Sequence, residues 1–144
     1  MTNIVHIVCP QCDTINRLPE SRLNELPKCG KCKQSLFSAH PLMLSEINFT
    51  KHISYSHIPV IVDFWAPWCG PCRMMAPIFE QAAARLEPKA RLAKVNTEQE
   101  PMIASQLAIQ SIPTLIIFNR GREVARQSGA MGLDQLIHWV NSNI

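Results

Sequence analysis

At 144 residues with 47 % hydrophobic side chains, the chain has room for one packed domain and a small appendage. Its formal charge of +3 is too small to point to nucleic acid, and no run approaches the ~18 apolar residues of a membrane span. The start, Met1 to Val8, has no basic region and meets a cysteine too early for a secretory core, so a reducing, cytoplasmic setting is expected.

In such a compartment paired cysteines are metal ligands or catalytic groups more often than structural disulfides. Residues 1–40 carry two pairs, Cys9-Pro10-Gln11-Cys12 and Cys29-Gly30-Lys31-Cys32, separated by 16 residues after a short predicted strand, Ile4 to Val8. That spacing is the one that builds a four-cysteine zinc site, and the turn-forming residues inside the pairs let backbone N–H groups face the sulfurs. The alternatives are four buried free thiols, for which this polar segment lacks an apolar setting, or a second redox pair. Leu18, Leu23 and Leu26 are the main apolar side chains between the knuckles. Three leucines cannot hold a fold, so the metal is expected to supply most of the folding free energy. His6 and His40 flank the knuckles, but four cysteines already close a tetrahedron, so both are expected to be exposed to solvent. Four thiolates on one Zn²⁺ carry a net charge of −2, which would bring the chain to about +1. Ser38 to Leu42, with Pro41, reads as a short connector.

From Met43 a second unit begins with a short strand and a helix over Asn48 to Tyr55, in which Phe49 and Ile53 share a face. Val60 to Phe64 is apolar on both faces except at Asp63, the pattern of a central strand covered on both sides. A carboxyl group there is either a satisfied core hydrogen-bonder or a functional acid whose pKa burial has raised. The strand runs into Trp65-Ala66-Pro67-Trp68-Cys69-Gly70-Pro71-Cys72 and then a helical pattern reaching Leu86, with Pro77 in its interior. A helix start leaves N–H groups unpaired and partially positive, which favours a thiolate at the cap. Cys72, one turn inside, is placed to resolve a mixed disulfide formed at Cys69.

Further on, Arg91 to Asn96 is the next strand and Met102 to Leu107 a short helix behind Glu100-Pro101. Ile112-Pro113-Thr114 opens a strand over Leu115 to Phe118, and Asn119-Arg120-Gly121 is a hairpin signal leading to Glu123 to Gln127. The closing helix places Leu133, Leu136, Ile137 and Val140 on one stripe, with Trp139 packing beside it.

Asp63-Phe64-Trp65-Ala66 followed by Trp68 to Cys72 resembles thioredoxin, and the likeness continues through Pro77, Lys94, Ile112-Pro113-Thr114, Gly121 and Gly129, over about residues 42 to 144. With the front cysteine pairs, the whole is similar to the zinc-carrying bacterial thioredoxins. The resemblance implies an α/β thioredoxin fold over residues 41–144, a mixed central sheet flanked by helices, preceded by a small zinc ribbon over residues 1–40. Thioredoxin is itself the reference example of a Cys-x-x-Cys thiol with lowered pKa in a reducing couple, so those properties too are implied rather than read from spacing.

By the same resemblance Cys69 and Cys72 are the catalytic pair, Asp63 the buried acid behind them and Lys94 its cationic partner. The peptide bond before Pro113 would be cis and sit against the sulfurs, and Trp68, Gly70, Pro71, Ile112, Pro113, Gly129 and Ala130 would form an apolar substrate groove. The activity implied is that of a monomeric cytoplasmic protein-disulfide reductase. Its partners would be disulfide-containing proteins and, as electron donor, a flavin- and NADPH-dependent thioredoxin reductase; the chain shows no nucleotide fingerprint of its own, and zinc would be its one, structural cofactor. Gly-Pro between the cysteines resembles the reducing members. The rival reading is a zinc-dependent chaperone or adaptor whose groove holds clients, with incidental redox activity. One departure from the family pattern stands out: Leu107-Ala108 occupies the place of an aromatic and a glycine, which puts alanine where a left-handed helix terminus would suit glycine.

Overall fold

Val60, Ile61, Val62, Asp63 and Phe64 are all buried, which is what a strand covered on both faces requires. In the computed structural model, which describes residues 3–144, they form β4 (Val60–Trp65). Around it lie β3 (Leu42–Met43), β5 (Arg91–Asn96), β6 (Thr114–Asn119) and β7 (Arg122–Ser128), in the order β3-β5-β4-β6-β7. β4 runs parallel to β5 and antiparallel to β6, so the sheet is mixed. The helices are α1 (Phe49–Tyr55), α2 (Gly70–Leu86), α3 (Pro101–Gln106) and α4 (Leu133–Asn143). Successive side chains of a strand point to opposite faces. Val60, Val62 and Phe64 accordingly pack with Phe49 and Ile53 of α1 and Ile103 of α3, while Ile61 packs with Met75 and Phe79 of α2 and Leu136 and Val140 of α4. Asp63 is in phase with Ile61 and therefore faces the α2 side. No helix among the described residues is long and apolar enough to cross a membrane.

Most elements fall where the sequence places them, with ends shifted by a residue or two. α3 starts at Pro101, whose missing N–H costs nothing in a first turn. Arg120 and Gly121 both have positive φ, 51° and 87°, as a tight hairpin turn needs. Gly121 is demanded twice over. A Cβ there would meet Ser54 Oγ at 2.9 Å, and its N–H donates to the Ile53 carbonyl at 2.7 Å.

Ala108 has φ of 53°, so an alanine does occupy the left-handed position after α3. Its N–H donates to Ser105 O and that of Ile109 to Ala104 O, closing the helix in the left-handed manner usually left to glycine. Replacing Ala108 with glycine removes the Cβ clash at the cost of more freedom in the unfolded chain, for a net gain of about 0.5–1 kcal/mol. Thermal unfolding of Ala108→Gly should rise by roughly 2–4 °C; a lower midpoint would mean that the alanine methyl packs better than its backbone strain costs.

The front of the chain departs most from expectation. Ile15–Pro19 forms a second strand, β2, antiparallel to β1 (Ile4–Val8), so the first knuckle is the turn of a hairpin. Leu26 is 78 % exposed and has φ of 53°. The apolar interior consists instead of Ile7, Leu36 and two of the cysteines, with Leu18, Leu23 and Phe37 at its border and Ile58 supplied by the segment between α1 and β4.

The ribbon is thus built against the larger unit. Val8 N–H donates to Ser56 Oγ at 3.2 Å, and His6 and His57 exchange two bonds, His57 N–H to His6 O at 2.8 Å and His6 N–H to His57 Nδ1 at 3.1 Å. The same two imidazoles stack 4.4 Å apart, so His6 is half-buried rather than free in solvent. His40 is exposed as expected and pairs with Glu80 at 2.8 Å.

Arg91, the first residue of β5, lies beneath the ribbon at 1 % exposure. Its guanidinium donates to Glu87 Oε2 at 2.6 Å, to Leu36 O at 2.7 Å and to Val8 O at 3.4 Å, and sits 4.9 Å from the centre of the Phe37 ring. A charged residue opening a strand gives no hint of this in sequence.

Candidate functional site

The first site sits where β4 delivers the chain to α2. Cys69 is the N-cap residue, extended at φ −83°, and its Sγ accepts the Cys72 N–H at 3.2 Å. Pro71 falls in the first helical turn, where its lack of a donor does no harm. Cys69 and Cys72 are joined as a disulfide with their Cα atoms 5.2 Å apart. Ala66, Trp65 and Ile112 pack around the two sulfurs, and Ile112 O lies 3.7 Å from Cys69 Sγ.

The Ile112-Pro113 bond is cis, and Gly129, at φ 95°, donates its N–H to Pro113 O at 2.9 Å. The hydrogen bond ties the Gly129-Ala130 segment to the segment that carries Ile112. Trp68, Gly129 and Ala130 are exposed, Pro71 likewise, Gly70 and Ile112 are half-buried, and Pro113 is buried. Met74, 73 % exposed, is a flexible apolar side chain in the first turns of α2.

Asp63 is fully buried, and neither of its carboxyl oxygens has a hydrogen-bond partner. Desolvation pushes its pKa up to about 7, with the Lys94 charge pulling in the opposite direction. Asp63 and Lys94 face each other in register on β4 and β5. Yet no ion pair joins them among the described residues; the Lys94 ammonium stands 4.6 Å over the Trp65 ring instead. Lys94 therefore acts on Asp63 through its field rather than through a bond, a distinction that the pairing of residue types along the sequence does not make.

The second site is the pair of knuckles. Cys9 Sγ lies 3.7 Å from Cys32 Sγ and Cys12 Sγ 3.6 Å from Cys29 Sγ, with all four sulfurs within 4.8 Å of one another. Zinc–sulfur bonds of about 2.3 Å in a tetrahedron place sulfurs about 3.8 Å apart, so the four residues fit a zinc ion and leave no open position. Gln11 N–H faces Cys9 Sγ and Lys31 N–H faces Cys29 Sγ, each at 3.4 Å. Burial pushes the Cys9 thiol up to about 12, whereas the Cys32 backbone N–H holds Cys29 down to about 6, so a cation is what would make all four thiolates together near neutral pH.

Sequence reading missed what lies around this cluster. Asp13, at φ 62°, accepts from the buried His52 of α1 at 2.7 Å, and Thr14 Oγ1 lies 3.2 Å from Cys12 Sγ. Recognising β2 would have exposed part of it, because its alternation puts the polar Asn16 on the same inward side as Leu18.

Two sequence models match the chain: Thioredoxin over residues 40–142 and "Thioredoxin 2, N-terminal" over residues 8–34. Among its relatives, Thioredoxin C-3 of Corynebacterium nephridii is 44 % identical over 138 residues, covering 96 % of this chain and 94 % of that protein. Thioredoxin 1 of Nostoc sp. is 48 % identical over 88 residues, 61 % of this chain and 82 % of that protein. The thioredoxin of Haemophilus influenzae is 37 % identical over 103 residues, 72 % and 96 % respectively.

Proposed function

Because the chain belongs to the thioredoxin family and is a dithiol/disulfide oxidoreductase, we propose that it reduces protein disulfides through Cys69 and Cys72. The observation that carries this reading is the Cys69 sulfur at the cap of α2, accepting the Cys72 N–H, with a partnerless buried acid on the adjoining strand. In the reduced protein the Cys69 thiolate attacks a substrate disulfide, forming a mixed disulfide and releasing one substrate thiolate. Cys72 then gives up its proton, with Asp63 as the acceptor through water, and attacks Cys69 Sγ. The products are the second substrate thiolate and the Cys69–Cys72 disulfide. Two electrons pass to the substrate, and a thioredoxin reductase returns them.

Trp68, Gly70, Pro71, Ile112, Pro113, Gly129 and Ala130 are the proposed substrate groove, and Lys94 tunes Asp63 by its charge. Residues 1–40 form the zinc ribbon and residues 41–144 the thioredoxin unit of a cytoplasmic monomer. Cys9, Cys12, Cys29 and Cys32 would hold zinc, which when bound cross-links the two knuckles. A chaperone or adaptor has no use for a helix-cap dithiol backed by a buried acid, so the reductase reading is preferred. Reduction of insulin by NADPH, thioredoxin reductase and the protein tests it: turnover is expected, and a protein that binds clients without reducing them shows none.

An acid whose folded pKa is about 7, against 3.8 as the ordinary value, holds its proton more tightly folded than unfolded, so stability falls as pH rises between those values and levels off above them. The full cost is about 4 kcal/mol. Asp63→Asn should unfold at higher denaturant than the parent at pH 8, by an amount approaching that figure, and the gap should close near pH 4. Equal stability at pH 8 would mean that the carboxyl group is hydrated or paired.

A further inference from the structure

On β2, side chains at alternate positions face inward, and Leu18 there joins the apolar interior of the ribbon. Asn16, two residues earlier on the same face, puts an amide where an apolar residue would be expected. Every bonding group of that amide is engaged. Nδ2 donates to Thr14 O at 3.1 Å and to Cys29 Sγ at 3.5 Å, while Oδ1 accepts the Gly30 N–H at 2.9 Å. Thr14 follows the first knuckle, and Cys29 and Gly30 open the second. The reverse orientation of the amide would set its NH₂ against the Gly30 N–H and its oxygen against a carbonyl and a sulfur, so the three bonds also fix which way it points.

We propose that Asn16 is the positioning residue of the zinc site, tying the two knuckles together and holding the Cys29 sulfur in its ligating place. This rests on zinc being held by the four cysteines. Backbone N–H groups reach Cys9 and Cys29 from within their own knuckles. Apart from the cysteines themselves, Asn16 is the side chain, among the described residues, that reaches from β2 to a sulfur of the second knuckle. A hydrogen bond to a thiolate stabilises its charge and fixes its position, so its loss weakens the site; it also withdraws electron density from sulfur, so its loss raises the energy of the sulfur lone pairs and changes the electronic character of the metal–sulfur bond.

Two substitutions separate the functions of the amide. Asn16→Ala loses all three bonds, whereas Asn16→Asp keeps the size and the acceptor for Gly30 and loses the donor to sulfur, setting a carboxylate beside it. In the full-length reduced protein, competition for Zn²⁺ with a chromophoric chelator should show affinity about 10–100-fold weaker for both variants. With Co²⁺ in place of zinc, the thiolate-to-metal charge-transfer band should move to longer wavelength in Asn16→Asp, a shift that a merely structural side chain would not produce. Should Asn16→Ala fail to fold, Asn16→Asp decides the matter alone. An Asn16→Asp protein that binds zinc as tightly as the parent, with an unmoved Co²⁺ band, overturns the proposal; failure of the parent itself to bind either metal overturns the zinc reading beneath it.

Discussion

Cys69→Ser should reduce disulfide turnover to the level of uncatalysed exchange, and Cys72→Ser should do the same while leaving a covalent adduct with the substrate. The two losses look alike in an activity assay and differ in mechanism. Without Cys69 no mixed disulfide forms, because the sulfur that receives the Cys72 N–H at the helix cap has gone. Without Cys72 the first exchange still occurs, but nothing attacks the mixed disulfide from inside the turn. Exposure does not settle which cysteine leads, since in the disulfide state they are 4 % and 3 % exposed. The cap geometry does: Cys69 is the N-cap residue, while Cys72 is already within α2. Mass spectrometry after incubation with a disulfide-bearing protein should find the adduct on Cys69 of the Cys72→Ser protein. An adduct on Cys72 of the Cys69→Ser protein, with none in the other, would reverse the two roles.

Arg91→Met is expected to cost about 3–5 kcal/mol, the penalty of stranding one member of a buried ion pair. Glu87, whose side chain is 4 % exposed, would lose its 2.6 Å partner, and the carbonyls of Val8 and Leu36 would lose their donor. Burial already raises the Glu87 pKa, opposed mainly by the Arg91 charge, so removal of Arg91 should drive the carboxyl group to take up a proton. The double variant Arg91→Met with Glu87→Gln should recover a large part of the loss, because it leaves no charge buried. Denaturant unfolding measures both. Hydrogen exchange should quicken first in β1, which loses the bond at Val8 O. A cost below about 1 kcal/mol would show that the ribbon rests on the larger unit without depending on this clamp.

This clamp changes how the ribbon should be tested. Excising residues 1–40 uncovers Arg91, Glu87 and Ile58 together. Replacing the cysteine ligands in the full-length chain is the cleaner separation of metal binding from disulfide exchange.

Local rules were enough for much of this protein. The apolar run from Val60 to Phe64 announced a central strand, the spacing of the front cysteines announced a cluster of four sulfurs, and the residues from Trp65 to Cys72 announced a cysteine pair at a helix cap. Each depends on a period, a spacing or a cap within one short stretch. Alanine after α3 could likewise be recognised as strained, because the backbone angle it must adopt is set by the turn itself. What the sequence could not supply were relations between distant segments. Arg91 under the ribbon, Asn16 across the two knuckles, His6 stacked on His57 and Lys94 over Trp65 rather than bonded to Asp63 depend on which surfaces meet, and long side chains can satisfy their charge or donors in several places. Packing chooses among those places. Close packing of the interior leaves room for one arrangement at a time, and that choice exists only once the sheet has formed and the ribbon lies against it.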